Sequence, residues 1–171
     1  MQLLPPIVGH HPVIVFCGMA GAESTKHRDH YYASPGNSFW ESMHRSGLTL
    51  RRLRPEDDHR ITEHRLGLTD LVGHWDHETN RGWVDIDLLV ADLERWQPTW
   101  LAFTGKGTAA YAARALGQRK PGLGPTDWEI AGSQVFVLPG TSGANQRKDY
   151  DGRPDRLSWW RELAEITQPD F

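Results

Sequence analysis

The hydrophobic pattern of the chain alternates short apolar runs with helix-period stretches. Val13-Ile14-Val15-Phe16 is short and rich in β-branched residues, which predicts a buried strand over residues 12–17. Phe39, Trp40, Met43 and Gly47 fall on one helical face. Ser38 and Glu41 have the spacing of a capping box, and Gly47 marks the helix end. A short helix is expected after Pro55, and residues 66–72 read as the second strand. Residues 73–82 read as a loop. Val84, Leu88, Leu89, Leu93 and Trp96 return to helical spacing, stopped by Pro98. Residues 100–104 form a third strand, followed by a tight Gly105-Lys106-Gly107 turn and an Ala-rich helix over 108–116. Gly132-Ser133 between two apolar runs predicts a hairpin, and Leu157, Trp160, Leu163 and Ile166 a final helix. Strands alternating with helices imply an α/β fold with a mainly parallel sheet covered on both faces, in a single domain over residues 1–171.

Two strand ends stand out. After Phe16 the chain turns to small residues, Gly18-Met19-Ala20-Gly21-Ala22, and after Leu138 it does so again, Pro139-Gly140-Thr141-Ser142-Gly143. In open parallel sheets ligands bind beyond the carboxyl ends of the strands, and small residues allow close approach to the backbone. Asp70 closes the second strand and is a candidate general base or reader of a base edge; an ordinary loop-start or cap role is the alternative. Glu23 is the acid of the first loop, able to orient a water or simply to sit in solvent. Tyr31-Tyr32 offers a flat stacking surface, or packing beneath the long 18–36 loop.

Composition narrows the function classes. The 171 residues carry a net charge of −3, so the chain has no overall basic footprint, although His44-Arg45 with Arg51-Arg52-Leu53-Arg54, and Arg147-Lys148 with Arg153 and Arg156, are local patches. Mean hydropathy is −0.59, and no membrane partner is expected. One cysteine, Cys17, excludes an internal disulfide and an all-cysteine metal site. With no signal-peptide pattern at the N-terminus, a cytoplasmic protein is expected. Most of the eight tryptophans should pack internally, with Trp83 and Trp128 the exposed ones. His27, His30, His74 and His77 match no strong zinc spacing, so no metal is expected. Gly105-Lys106-Gly107-Thr108-Ala109-Ala110 has a dinucleotide-turn outline without the acidic strand end that should follow.

Taken in order, these segments resemble the mismatch-specific uracil/thymine DNA glycosylases. Gly18-Met19-Ala20-Gly21-Ala22 stands where that family has G-I-N-P-G. Tyr32-Ala33-Ser34-Pro35-Gly36-Asn37-Ser38-Phe39-Trp40 resembles its aromatic-x-x-P-G-N-x-F-W segment, and Gly67-Leu68-Thr69-Asp70-Leu71-Val72 its second-strand motif. Gly105-Lys106 resembles its G-K turn, and Leu138-Pro139-Gly140-Thr141-Ser142-Gly143-Ala144 its L-P-N-P-S-G-L. The resemblance implies a three-layer α/β/α domain that hydrolyses the N-glycosidic bond of an extruded base, without metal or organic cofactor, acting on DNA as a monomer. It implies a base pocket of Gly18, Ala20, Ala22, Tyr32 and Asn37, with Tyr32 stacking on the base. It implies DNA contacts through Lys106, Ser142, Gly143, Ala144, Asn145 and Arg147. The chain departs from the family at Ala20, where the water-positioning asparagine should stand, at Gly140-Thr141, and at Ala144 in place of a wedge leucine. An acid from elsewhere must then handle the water, Asp70 first and Glu23 second. A damaged-base binding protein without cleavage and a nucleotide-binding protein using Gly105–Ala110 are the alternatives.

Overall fold

The computed structural model describes residues 3–19, 29–76, 78–79, 81–143 and 150–167, with the backbone alone at positions 75 and 81. A five-stranded sheet runs in the order β2-β1-β5-β7-β6, built from β1 (Ile14–Gly18), β2 (Leu66–Asp70), β5 (Trp100–Thr104), β6 (Gly124–Ile130) and β7 (Ser133–Leu138). The first four in spatial order are parallel, and β6 closes the edge antiparallel to β7. The sheet is therefore mixed, although mainly parallel as the sequence predicts.

The apolar runs are continuous because both faces of the sheet are covered. Alternate residues sort to opposite sides. Ile14, Phe16, Leu68, Ala102, Phe136 and Leu138 face α1 (Phe39–Arg45) and α4 (Arg156–Thr167), where Phe39, Trp160 and Leu163 complete the core. Val15, Cys17, Leu101, Phe103, Val135 and Val137 face the opposite layer of α2 (Ile86–Trp96) and α3 (Lys106–Ala115), meeting Leu89, Leu93 and Ala109. Phe16 stacks on Trp160 with ring centroids 5.6 Å apart, and Phe39 meets both edge-on.

Several elements differ from the sequence reading. Residues 73–82 are not a plain loop: β3 (Val72–Asp76) and β4 (Arg81–Val84) pair as a separate antiparallel hairpin. The second strand accordingly stops at Asp70 and a new one starts at Val72. Pro55–His64 is a 3-10 helix, as the proline suggested. α3 begins at Lys106, directly after Gly105, whose φ of +133° suits glycine alone. The β6–β7 turn places both Ala131 (φ +50°) and Gly132 (φ +83°) in the left-handed region, the twist that a two-residue hairpin loop requires.

The capping box is absent. Ser38 makes no side-chain cap; its amide instead donates to the Thr141 carbonyl at 2.9 Å, and Asn37 Oδ1 accepts from the Phe39 amide at 3.0 Å. Trp83 is about half exposed as expected, at 51%, whereas Trp128 is half-buried. Among the described residues no helix is long and apolar enough to cross a membrane.

Candidate active site

Register fixes what meets at the carboxyl edge of the sheet. Gly18 lies directly opposite Asp70, and Thr104 opposite Leu138, with β1 and β5 side by side. Each of these strands therefore delivers its last residue to one edge, and the Pro139–Gly143 segment continues from the same edge. A Cβ added to Gly18 would lie 2.9 Å from Asp70 Oδ1, 3.0 Å from the Tyr32 hydroxyl and 3.4 Å from Thr104 Oγ1. Three polar side chains thus converge on the one strand end that has no side chain. The glycine is required by this crowding.

The polar cluster is held from below. The Tyr32 and Thr104 hydroxyls hydrogen bond at 2.8 Å, and Thr104 can donate to the Cys17 carbonyl at 3.4 Å. The Tyr32 ring lies parallel to Phe39, with centroids 3.8 Å apart and planes 10° from parallel. Its backbone is in the left-handed region (φ +52°), unusual for a bulky residue. Asp70 Oδ1 is buried. Burial pushes the Cys17 thiol well above its usual pKa, and the Asp70 charge adds to that, so the cysteine is an inert neighbour.

The second loop packs onto the P-G-N segment. A Cβ on Gly143 would come within 2.8 Å of the Gly36 carbonyl oxygen, and one on Gly105 would touch the Gly140 Cα at 3.8 Å. Gly36, Gly105, Gly140 and Gly143 therefore permit three backbone segments to close around one edge. Thr141 is buried, while Ser142 and Gly143 are exposed.

The structure brings together Gly18, Asp70, Tyr32 and the 140–143 loop. It gives other expected residues different work. Tyr31 is not an open stacking surface: it is 1% exposed, its hydroxyl donates to Pro5 O at 3.0 Å, and its amide donates to Asp58 at 3.1 Å. Asn37 serves as the helix cap described above. Lys106 is ion-paired with Asp151, which also accepts from the Leu123 amide at 2.7 Å. Of the second basic patch, Arg153 lies over Trp159 and pairs with Glu162, and Arg156 reaches the Ser38 hydroxyl at 3.5 Å. His74 pairs with Asp85, and His30 with Asp58. Ala20, Ala22, Glu23, His27, His77, Ala144, Asn145, Arg147 and Lys148 lie outside the described residues. Among the described residues no group of three His, Cys, Asp or Glu side chains could hold a metal ion.

Thr104 escaped the sequence reading. Its signal was available: a polar residue ending a buried strand immediately before Gly, the logic that picked out Asp70. Gly107, the second glycine of the dinucleotide outline, faces open space, so no close backbone approach calls for it. A cavity of about 300 Å³ also borders Asp70 at the outer edge of β2, lined further by Leu4, Leu71, Asp85 and Leu88.

This geometry can be set beside known proteins. The fold is similar to the solution NMR structure of a protein described as a "putative Uracil DNA glycosylase" from Methanosarcina acetivorans. The TM-score is 0.62 at 20% identity, over 97% of each chain. The family model of the uracil DNA glycosylase superfamily matches residues 5–164, nearly the whole chain and every strand of the site. The chain belongs to the uracil DNA glycosylase superfamily.

Proposed function

We propose that this protein is a monofunctional DNA glycosylase that releases uracil from DNA, with Asp70 as the group that handles the attacking water. The observation that carries the reading is the convergence of Asp70 Oδ1 and the Tyr32 and Thr104 hydroxyls on Gly18 at the carboxyl edge of the sheet. The ordered segments from P-G-N-x-F-W to the 139–143 loop support kinship with the mismatch-specific uracil/thymine branch.

The chemistry follows from the groups present. A glycosidic carbon inside the stack is inaccessible, so the nucleotide must be extruded. Tyr32, its ring braced on Phe39, is the group that would stack on the base. The C1′–N bond breaks with its electron pair leaving on the base, and positive charge develops on the sugar. A carboxylate at Asp70 stabilises that charge and accepts a proton from the water that bonds to C1′. No lysine Schiff base is involved, so the abasic strand stays intact until alkali cleaves it. Ser142 and Gly143, exposed on the second loop, would meet phosphate in this reading.

Single-turnover reactions on labelled oligonucleotides test this. The panel holds uracil in a single strand and in U·G, U·A, T·G and hypoxanthine-containing duplexes. The expected result is release of uracil with alkali-dependent strand breaks. Nicking without alkali would contradict a monofunctional enzyme. Ala20 and Gly140, in place of polar residues, favour a second reading, a protein that binds damaged bases without cleaving. Selective binding of uracil-containing DNA with no cleavage on any substrate would establish it.

A further inference from the structure

We propose that the β3–β4 hairpin is a separate DNA contact, in which Trp83 stacks on an unpaired base flanking the extruded nucleotide in single-stranded DNA. The proposal rests on the glycosylase reading above.

The hairpin grows out of the edge that carries the site. The Leu71 amide donates to the Gly18 carbonyl at 2.7 Å and the Val72 amide to the Met19 carbonyl at 3.2 Å, so β3 starts where β1 and β2 end. His74 follows Asp70 by four residues, at most about 14 Å of chain. That span is about four stacked base steps. The register shifts between Val72 and His74, a bulge of the kind that re-aims a side chain beside a site.

Beyond the bulge His74 and Trp83 are cross-strand partners on one face. Their rings stack with centroids 5.7 Å apart and planes 28° apart, and each side chain is about half exposed. A lone exposed aromatic calls for no explanation. This one is braced. His74 Nε2 lies 2.7 Å from Asp85 Oδ2, while Asp85 Oδ1 takes the Leu88 amide at the start of α2. The base of the hairpin is fixed to the same helix, because a Cβ on Gly73 would lie 2.9 Å from Asp85 Cβ and 3.0 Å from Leu88 Cδ2. The indole is thus held in place at half exposure, with its orientation set from α2.

The chemistry of this face selects the occupant. Asp85 is turned to the imidazole and the helix amide, and Asp76 Oδ1 accepts the Glu78 amide at 2.9 Å in the hairpin turn. What the face offers outward is a pair of flat rings. A base released from pairing has a flat face of its own, and stacking on an aromatic side chain is tolerant of which base it is. A base still paired inside a duplex is stacked on its neighbours and cannot use the platform. The contact therefore favours single strands and leaves recognition of the extruded base to the pocket.

The test uses the full chain with Trp83→Ala, Trp83→Leu and Trp83→Phe, leucine keeping apolar bulk on the hairpin without an aromatic face. Melting temperature is the folding control. Kd is measured for a single-stranded oligonucleotide carrying non-cleavable 2′-fluoro-deoxyuridine and for the same sequence as a duplex. Trp83→Ala and Trp83→Leu should each weaken binding of the single strand about tenfold and of the duplex less than about twofold. Trp83→Phe should stay close to wild type. The four nucleotides on either side of the analogue are then replaced one at a time by a baseless spacer. At one position the spacer should cost wild type about tenfold and cost Trp83→Leu nothing further, the coupling that a direct contact gives. Trp83→Leu within twofold of wild type on the single strand, phenylalanine as damaging as leucine, or no coupled position would overturn the proposal. Uracil release, scored separately, would leave the glycosylase reading intact in each case. A Trp83-dependent dimer in sedimentation, with DNA affinity unchanged, would give the face to a second copy of the chain and overturn it too. A wild-type protein that neither cleaves nor binds uracil-containing DNA of either form would overturn the functional reading and this inference together.

Discussion

Gly18 shows how one residue can carry a site by having no side chain. Most glycines in a strand mark a bulge or a close approach, and here the approach is by three functional groups at 2.9, 3.0 and 3.4 Å from where a Cβ would stand. Gly18→Ala should therefore displace Asp70 or Tyr32. Crowding of this kind typically costs about 1–3 kcal/mol, so the variant should melt a few degrees lower and lose most of its cleavage activity. A melting scan paired with the single-turnover assay checks both. Gly143→Ala has a different clash, with backbone at Gly36 O, which cannot swing away as a side chain can. It should prise the second loop from the P-G-N segment. The expected signature is weaker DNA binding with the cleavage rate of bound substrate less affected, read from Kd and the maximal rate separately.

At the scale of elements, α2 is started by a residue that hydrophobic periodicity alone does not mark. Asp85 Oδ1 accepts from the Leu88 amide at 2.9 Å, and its other oxygen takes His74 Nε2 at 2.7 Å. The Leu88 amide, then the His74 bond, hold the Asp85 carboxyl below its usual range. Asp85→Ala should cost about 1 kcal/mol, the usual worth of an N-cap. Because the folded-state pKa is the lower one, this stabilisation is present above the ordinary carboxylate range and fades as pH falls through the depressed value. Urea unfolding of wild type and Asp85→Ala should thus differ at neutral pH and converge in strong acid.

The same element shows where sequence reading stopped. Strand cores such as Trp100–Thr104 were legible because they are continuous apolar runs between helix and turn signals. The β3–β4 hairpin was not, since His74, Asp76 and Gly82 break the apolar alternation and the two strands pair as a separate two-stranded sheet. The capping box at Ser38 failed for a tertiary reason: its amide is drawn to Thr141, more than a hundred residues away. Asp70 was legible as a strand-end acid. Thr104 carries the same strand-end signal as Asp70, and its contact with the Tyr32 hydroxyl is visible only once β5 lies beside β1. The core itself is tightly constrained. Trp160 is fully buried between Phe16 and Phe39, and Trp160→Ala should destabilise by about 3–5 kcal/mol in chemical denaturation.

On the scale of the whole molecule, the chain carries −3 net charge while its superfamily acts on a polyanion. Two of the described cations are already engaged: Lys106 with Asp151, and Arg153 with Glu162 and Trp159. Binding through loops, glycine-lined backbone and a stacking tyrosine should depend on salt only modestly. A plot of log Kd against log salt for a uracil duplex is expected to show a slope equivalent to about two or three phosphates. A slope of six or more would mean a basic surface dominates.

Asp70 is the group proposed to perform the water chemistry, in a chain that has Ala20 where the family it resembles is expected to carry asparagine. The most direct measurement compares wild type and Asp70→Asn in single-turnover release of uracil, with folding checked by melting temperature and binding by Kd for a 2′-fluoro-deoxyuridine duplex. The amide keeps the shape and removes the proton acceptor, so the maximal rate should fall at least about a hundredfold, with binding and melting close to wild type. Undiminished release by a folded Asp70→Asn protein would remove Asp70 from the mechanism.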